Sequence, residues 1–200
     1  MHSGGKTRRR GEVLEHALLD AAWDELQAVG YAALTMEAVA DRAGTSRAVL
    51  YRRWRNRPEL VLAAMRRHGP LLSGEIPDTG SLRDDVLAVL RRMSSRLTEV
   101  GPETAYGLLG DYLSDADLFA SSRHQLLDIS AEVIQTILKR AADRGEARAG
   151  VETRIATLPT ALFRNELFLA RTPPSEGTLV EIVDDVFLPL VRPRSGESRA

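Results

Sequence analysis

The chain has 200 residues and no cysteine, with 44% hydrophobic and 28% charged residues. That length can bury a core for one or two domains, and the missing cysteine excludes a disulfide framework, a thiolate nucleophile and cysteine-held zinc or iron–sulfur centres. The net charge of −1 hides an asymmetry: residues 1–70 hold 12 basic and 8 acidic side chains, whereas residues 71–200 hold 15 and 20.

Lys6 and Arg8 to Arg10 are followed by Glu12, Glu15, Asp20 and Asp24, which interrupt what an export signal would need as an apolar stretch. The expectation is a cytoplasmic protein with no membrane partner, residues 1–10 being a flexible basic arm. Leu14, Leu18, Ala21, Ala22, Leu26 and Val29 recur at helical spacing and stop at Gly30. Thr35 stands where an N-cap belongs, ahead of a short helix ended by Gly44; Ser46 caps a third helix over 47–54. Asn56 and Pro58 start a fourth that runs to about His68, closed by Gly69 and Pro70.

Pro70 to Gly80 reads as a loop. A long helix follows, marked by Leu82, Val86, Val89, Leu90, Met93, Leu97 and Val100 and stopped by Gly101-Pro102; a shorter one covers Pro102 to Tyr112. Residues 114–121 are ambiguous. Leu126, Ile129, Val133, Ile137 and Ala141 predict a long helix ending near Gly145, and residues 152–170 a largely buried helix bent at Pro159. Leu179, Ile182, Val183, Val186, Phe187 and Leu190 mark a strongly amphipathic last helix, and residues 192–200 a disordered tail. Strand signals are nearly absent, so the fold class is all-α: an N-terminal three-helix helix-turn-helix domain over 11–57, then a larger helical domain over 58–191.

From Arg42 to Arg67 stand eight arginines against the single acid Glu59, a field that attracts polyanions. Two short helices meeting through a tight turn need a small residue at their crossing and a glycine in the turn, and Ala40 and Gly44 meet both demands. Val39, Ala43, Leu50 and Trp54 lock the second helix in place. Arg47, Ala48, Tyr51 and Arg52 then fall on its outer face, the arginines suited to guanine edges, Tyr51 and Ser46 to phosphate.

Taken together, Leu18 to Leu62 resembles the DNA-binding domain of the tetracycline-repressor (TetR) family of bacterial regulators. Ala22 and Leu26 precede Gly30-Tyr31; then come Leu34-Thr35-Met36, Val39-Ala40-Asp41-Arg42-Ala43-Gly44, Ser46, Leu50-Tyr51, Trp54 and Asn56-Arg57-Pro58-Glu59-Leu60. Trp54 replaces the usual phenylalanine and Arg57 the usual lysine, and both keep the physical role. The resemblance implies a homodimer that reads two half-sites of palindromic double-stranded DNA and is released by a small-molecule effector. The candidate DNA contacts are Thr35, Thr45, Ser46, Arg47, Ala48, Tyr51, Arg52 and Arg57, with Arg8, Arg9 and Arg10 from the arm.

Six of the ten aromatic residues lie after residue 100, where a helical domain can enclose an apolar cavity. Leu90, Met93, Tyr106, Leu109, Tyr112, Ile129, Val133, Phe163, Arg164 and Leu167 are the candidate lining, with Asp111, Asn165 and Glu166 as further polar groups. Residues 158–164 and the last helix look like the pair that forms an intersubunit four-helix bundle in the family. The candidate dimer residues are accordingly Leu158, Leu162, Asn165, Leu179, Val183, Val186, Phe187 and Leu190. No catalytic, metal or cofactor site is expected, because His2, His16, His68 and His124 show no helical pair spacing and Gly101, Gly107 and Gly110 follow no strand. A helical dimeric scaffold that binds some other anionic partner is the alternative, separable by titration against duplex DNA over a salt series.

Overall fold

The computed structural model describes residues 4–69, 75–123 and 129–193, and the side chains of these apart from 4–10 and 121–123. Among them every regular element is helical, and they divide into two compact units. Helix α1 (Gly4–Ala33) begins well before the expected start, so the backbone at Arg8 to Arg10 is helical rather than a flexible arm. Once residues downstream are helical, each added residue gains a hydrogen bond without a new nucleus, and neither proline nor a cap intervenes. Gly30 interrupts the helix at φ 74°, a left-handed geometry that glycine reaches without a Cβ penalty.

In the first unit Leu18, Ala22 and Leu26 are buried where α1 packs on α2 (Met36–Arg42) and α4 (Arg57–Arg67), and α2 in turn carries α3 (Arg47–Tyr51). The third helix is shorter than expected, because Arg53 and Trp54 already donate their N–H groups to the Leu50 carbonyl in a closing turn. Helix α4, assigned from sequence to the second domain, packs along α1 and joins the first unit. The two are fastened by Arg67, which donates to both Asp20 oxygens at 2.6 and 3.0 Å, and by His68, whose ring stacks on Trp23 with centroids 5.0 Å apart. The Arg67 hydrogen bonds hold the Asp20 carboxyl below its usual range. Helix α6 (Pro102–Ser114) also belongs to this unit, although the chain reaches it from the second unit and returns there after it.

The second unit contains α5 (Leu82–Val100), α7 (Ala116–Arg123), α8 (Ile129–Asp143), α9 (Thr153–Ala156), α10 (Leu158–Ala170) and a final helical run. The segment expected to be ambiguous is α7; Leu126 and residues 194–200 lie outside the described residues. Residues 152–170 are two helices rather than one bent at Pro159. Proline lacks an N–H and suits a first helical turn, where Pro159 stands, so the chain restarts at Leu158. The final run begins as α11 (Glu176–Glu181), passes through a π-helical stretch (Ile182–Phe187) and ends as α12 (Leu188–Val191). Pro189 explains the wide turns: a regular helix would press its ring on the carbonyl four residues back, and widening the preceding turns relieves that pressure.

The start of α5 is tied to the end of α8 by a polar cluster around fully buried Asp85. Its Oδ1 accepts from the Thr79 N–H at 2.6 Å and the Thr79 hydroxyl at 2.8 Å, and its Oδ2 lies 3.5 Å from Arg144. Arg144 also pairs with Glu146, whose Oε2 accepts the Leu82 N–H at 2.6 Å and so satisfies an orphan donor of α5. That backbone donor, and then Arg144, keep the Glu146 carboxyl below its usual range. Asp85→Ala should lower the unfolding free energy by about 2–4 kcal/mol, because it strands buried donors and leaves Arg144 short of charge. Asp84→Ala, at an exposed neighbour, should cost no more than about 1 kcal/mol. Urea denaturation followed by circular dichroism measures both.

Candidate nucleic-acid interface

The turn between α2 and α3 is made by local chemistry. Thr35 caps α2, its hydroxyl accepting the Ala38 N–H at 3.1 Å. Gly44 takes φ 63°, and Thr45 donates its N–H to the Ala40 carbonyl at 2.9 Å, so the chain reverses just behind buried Ala40. Ser46 is the N-cap residue of α3 but its hydroxyl makes no capping bond. Leu50, fully buried, faces inward. Arg47, Ala48, Tyr51 and Arg52 are all exposed, as their spacing predicts, with Tyr51 at 49%. Thr35 and Ser46 are exposed and Thr45 half-buried at the two helix starts. The backbone at Arg8, Arg9 and Arg10 continues α1, and their side chains lie outside the described residues.

The basic density along this segment is partly spent inside the unit. Arg42 donates to Glu25, itself only 8% exposed, at 2.7 Å, and Arg67 is held by Asp20. Arg47 pairs with Glu37, both being well exposed, so solvent competes with that pair. Arg52, Arg53, Arg55 and Arg66 form no ion pair among the described residues.

Arg57 has a different setting from the other candidate contacts. It lies over the Tyr31 ring, 4.3 Å from the centroid, and donates to Asp111 of α6 at 2.8 Å. The Tyr31 hydroxyl donates to the same carboxylate oxygen at 2.6 Å. Burial opposes the Asp111 charge, but the Arg57 and Tyr31 hydrogen bonds outweigh it and keep the carboxyl below its usual range; burial and Asp111 together push the Tyr31 phenol well up. Gly107 makes the approach possible, since a Cβ there would fall 2.2 Å from a carbon of the Tyr31 ring. This cluster is invisible in the sequence, where Asp111 stands 54 residues from Arg57; the one available sign was a glycine in mid-helix.

The ten candidate ligand-lining residues do not share one unit. Tyr106, Leu109 and Tyr112 are on α6 in the first, whereas Leu90, Met93, Ile129, Val133, Phe163, Arg164 and Leu167 are in the second. Of these, Leu90, Met93, Val133, Phe163 and Leu167 are buried. Asp111, considered from sequence as a ligand-facing group, is engaged by Arg57 and Tyr31; Asn165 is exposed and Glu166 half-buried. A shallow cleft between α8 and the segment 148–151, with Gln135, Lys139 and Arg148 in its wall, contains none of the expected residues.

Three candidate dimer residues are placed differently from the expectation. Leu179, Val183 and Phe187 are at most 2% exposed within their own chain, so they form its core and cannot offer a face to a second copy. The periodic stripe was read correctly as apolar, but it is covered by the chain's own α5 and α10. Val186 and Leu190 remain outward at 39% and 45%, and α10 presents Phe168 at 57% and Leu169 at 71%, with Leu158 and Leu162 half-buried and Asn165 exposed.

Comparison with known proteins matches residues 18–64 to the bacterial regulatory proteins of the tetR family and residues 76–186 to the tetracyclin repressor-like C-terminal domain. The DNA-binding transcriptional repressor TetR of Mycobacteroides abscessus is 33% identical over 92% of this chain and 97% of its own. An uncharacterised HTH-type transcriptional regulator of Mycobacterium tuberculosis is 34% identical over 91% and 90%. Among solved structures, the TetR family transcription regulator SCO0332 aligns over 90% of this chain and 99% of its own, with a TM-score of 0.70 and 27% identity. Both halves of the architecture are thus accounted for, and the chain belongs to the TetR family of DNA-binding transcriptional regulators, which are not enzymes.

Proposed function

We propose that the protein is a repressor acting in the cytoplasm, binding a palindromic operator as a homodimer and leaving it when the second unit takes up a small molecule. The observation that carries this reading is the outer face of α3, where Arg47, Ala48, Tyr51 and Arg52 are exposed while Leu50 anchors the helix inside. A helix held this way enters a major groove by its N-terminal end, with arginines reaching base edges. The relative named as a repressor supports the direction of control. Exposed apolar side chains of α10 and α12 support dimerisation, because two chains present two recognition helices to two half-sites.

Release of DNA has a physical route in α6. Both ends of this helix continue into the second unit, yet its body is held in the first by Tyr31, Arg57 and Asp111. Motion of α5 or α7 therefore pulls on the base of α4 and on the turn at Gly30, next to the recognition module. Arg57, expected from sequence to touch phosphate, serves in this reading as the link through which α6 holds that module.

Sequencing the DNA fragments that the purified protein selects from its genome tests the regulator reading. On the selected site, Arg52→Ala should cost about 1–3 kcal/mol, concentrated at particular base pairs. Tyr51→Phe should weaken specific and random DNA alike; an equal loss on both for Arg52→Ala would remove its base-reading role. Leu190→Glu combined with Leu169→Glu should give monomers in sedimentation while helicity is kept, with loss of operator binding. For the α6 link, Arg57→Ala and Asp111→Ala should couple by about 1 kcal/mol in a double-mutant cycle on thermal unfolding. Additive effects, together with a salt slope for DNA binding flattened by Arg57→Ala, would return Arg57 to the phosphate role.

A further inference from the structure

A guanidinium keeps its proton at any physiological pH, so an arginine drawn out of water remains charged and calls for a counter-charge. In the second unit Arg83 meets Asp184 at 2.7 Å, Arg96 meets Glu99 at 2.7 Å, Arg144 meets Glu146, and Arg148 meets Glu152. Arg164 is the exception. It is half-buried on α10, on the face that carries Thr160, Phe163 and Leu167, and it meets no carboxylate among the described residues. Its Nη1 lies 3.5 Å from the Ser130 hydroxyl of α8, and the Thr160 hydroxyl, which donates to the Thr157 carbonyl at 3.1 Å, lies 3.5 Å from that same oxygen. Ser130 and Thr160 are 3% and 0% exposed. Burial lowers the proton affinity of Arg164, whereas the paired arginines Arg83 and Arg144 are shifted the other way.

We infer that Arg164, beside Ser130 and Thr160, holds the head group of a carboxylate-bearing effector whose apolar body packs beside Phe163, Leu167 and Val133. The inference rests on the small-molecule reading above and names the chemistry of that molecule. One guanidinium among neutral hydroxyls balances one negative charge, which fits a carboxylate; a phosphate dianion would leave a buried excess. A counter-ion from a second copy is the competing reading, which the oligomeric state of the variant decides below. Arg164 lies at the edge of the buried face of α10, with Thr160 and Leu167 on its inner side and exposed Phe168 one turn on.

Isothermal titration calorimetry on the full chain tests the site with decanoate and benzoate against decan-1-ol and benzyl alcohol. At least one acid should bind more tightly than its alcohol, and Arg164→Gln should weaken that acid by about tenfold or more while leaving the alcohol unchanged. Arg164→Met removes the uncompensated charge and should raise the Tm of the ligand-free protein, whereas Arg148→Met should not. Absence of acid binding at millimolar concentration, equal binding by the Gln variant, or a lowered Tm for Arg164→Met would each overturn the inference. So would dissociation of an Arg164→Gln dimer in sedimentation, since the counter-charge would then come from the partner. Wild-type protein that selects DNA but binds neither acid would leave the regulator reading standing. Protein that binds acid but selects no DNA would keep the site and remove that reading.

Discussion

The need of every half-buried guanidinium for negative charge organises this protein more than any single apolar contact. An arginine cannot shed its proton to escape a low-dielectric setting, so the fold brings a carboxylate to most of those it shelters, Arg164 and Arg53 standing apart. Asp20 to Arg67 and Glu25 to Arg42 fasten α4 and α2 to α1; Asp111 to Arg57 fastens α6 to the same module; Asp85 and Glu146 to Arg144 join α5 to α8. These pairs turn a segment that reads as a uniform basic run into two populations. One holds helices together, and the other, including Arg52, Arg53, Arg55 and Arg66, is left for solvent or a polyanion.

The division of labour follows from that sorting. The recognition helix α3 is only five residues long, too short to be stable by itself, so its orientation depends on Leu50 and on the helices that carry the paired arginines. Helix α6 contributes to the same support from outside the contiguous N-terminal sequence. Two glycines at 107 and 110 weaken it as an isolated helix, and Gly107 is offset by the close approach of the Tyr31 ring.

Much of the architecture was legible because its signals are local. Thr35 and Asn56 cap the helices they precede, each accepting a backbone N–H three residues on, and Gly30 and Gly44 sit at left-handed φ where the chain leaves a helix. Such interactions span a few residues and are written in the order of the chain. The split at Leu158 and the wide turns before Pro189 were less legible. A proline announces that a regular helix cannot continue unchanged, but whether the chain restarts, bends or widens depends on what packs around it.

The sequence by itself determined the all-helical class, the helix-turn-helix and the inward or outward facing of α3, since periodicity and capping act within one helix or one turn. Tertiary structure alone decided which element covers each apolar stripe and which acid meets each arginine. Val183 and Phe187 belong to a stripe as suited to a second copy as to α5 and α10, and only the packing places them inside the chain. Arg57 and Arg164 look alike as isolated arginines. One meets Asp111 and the other a serine hydroxyl, because partners 54 and 34 residues away are brought near by the fold, and no local rule encodes a separation of that length.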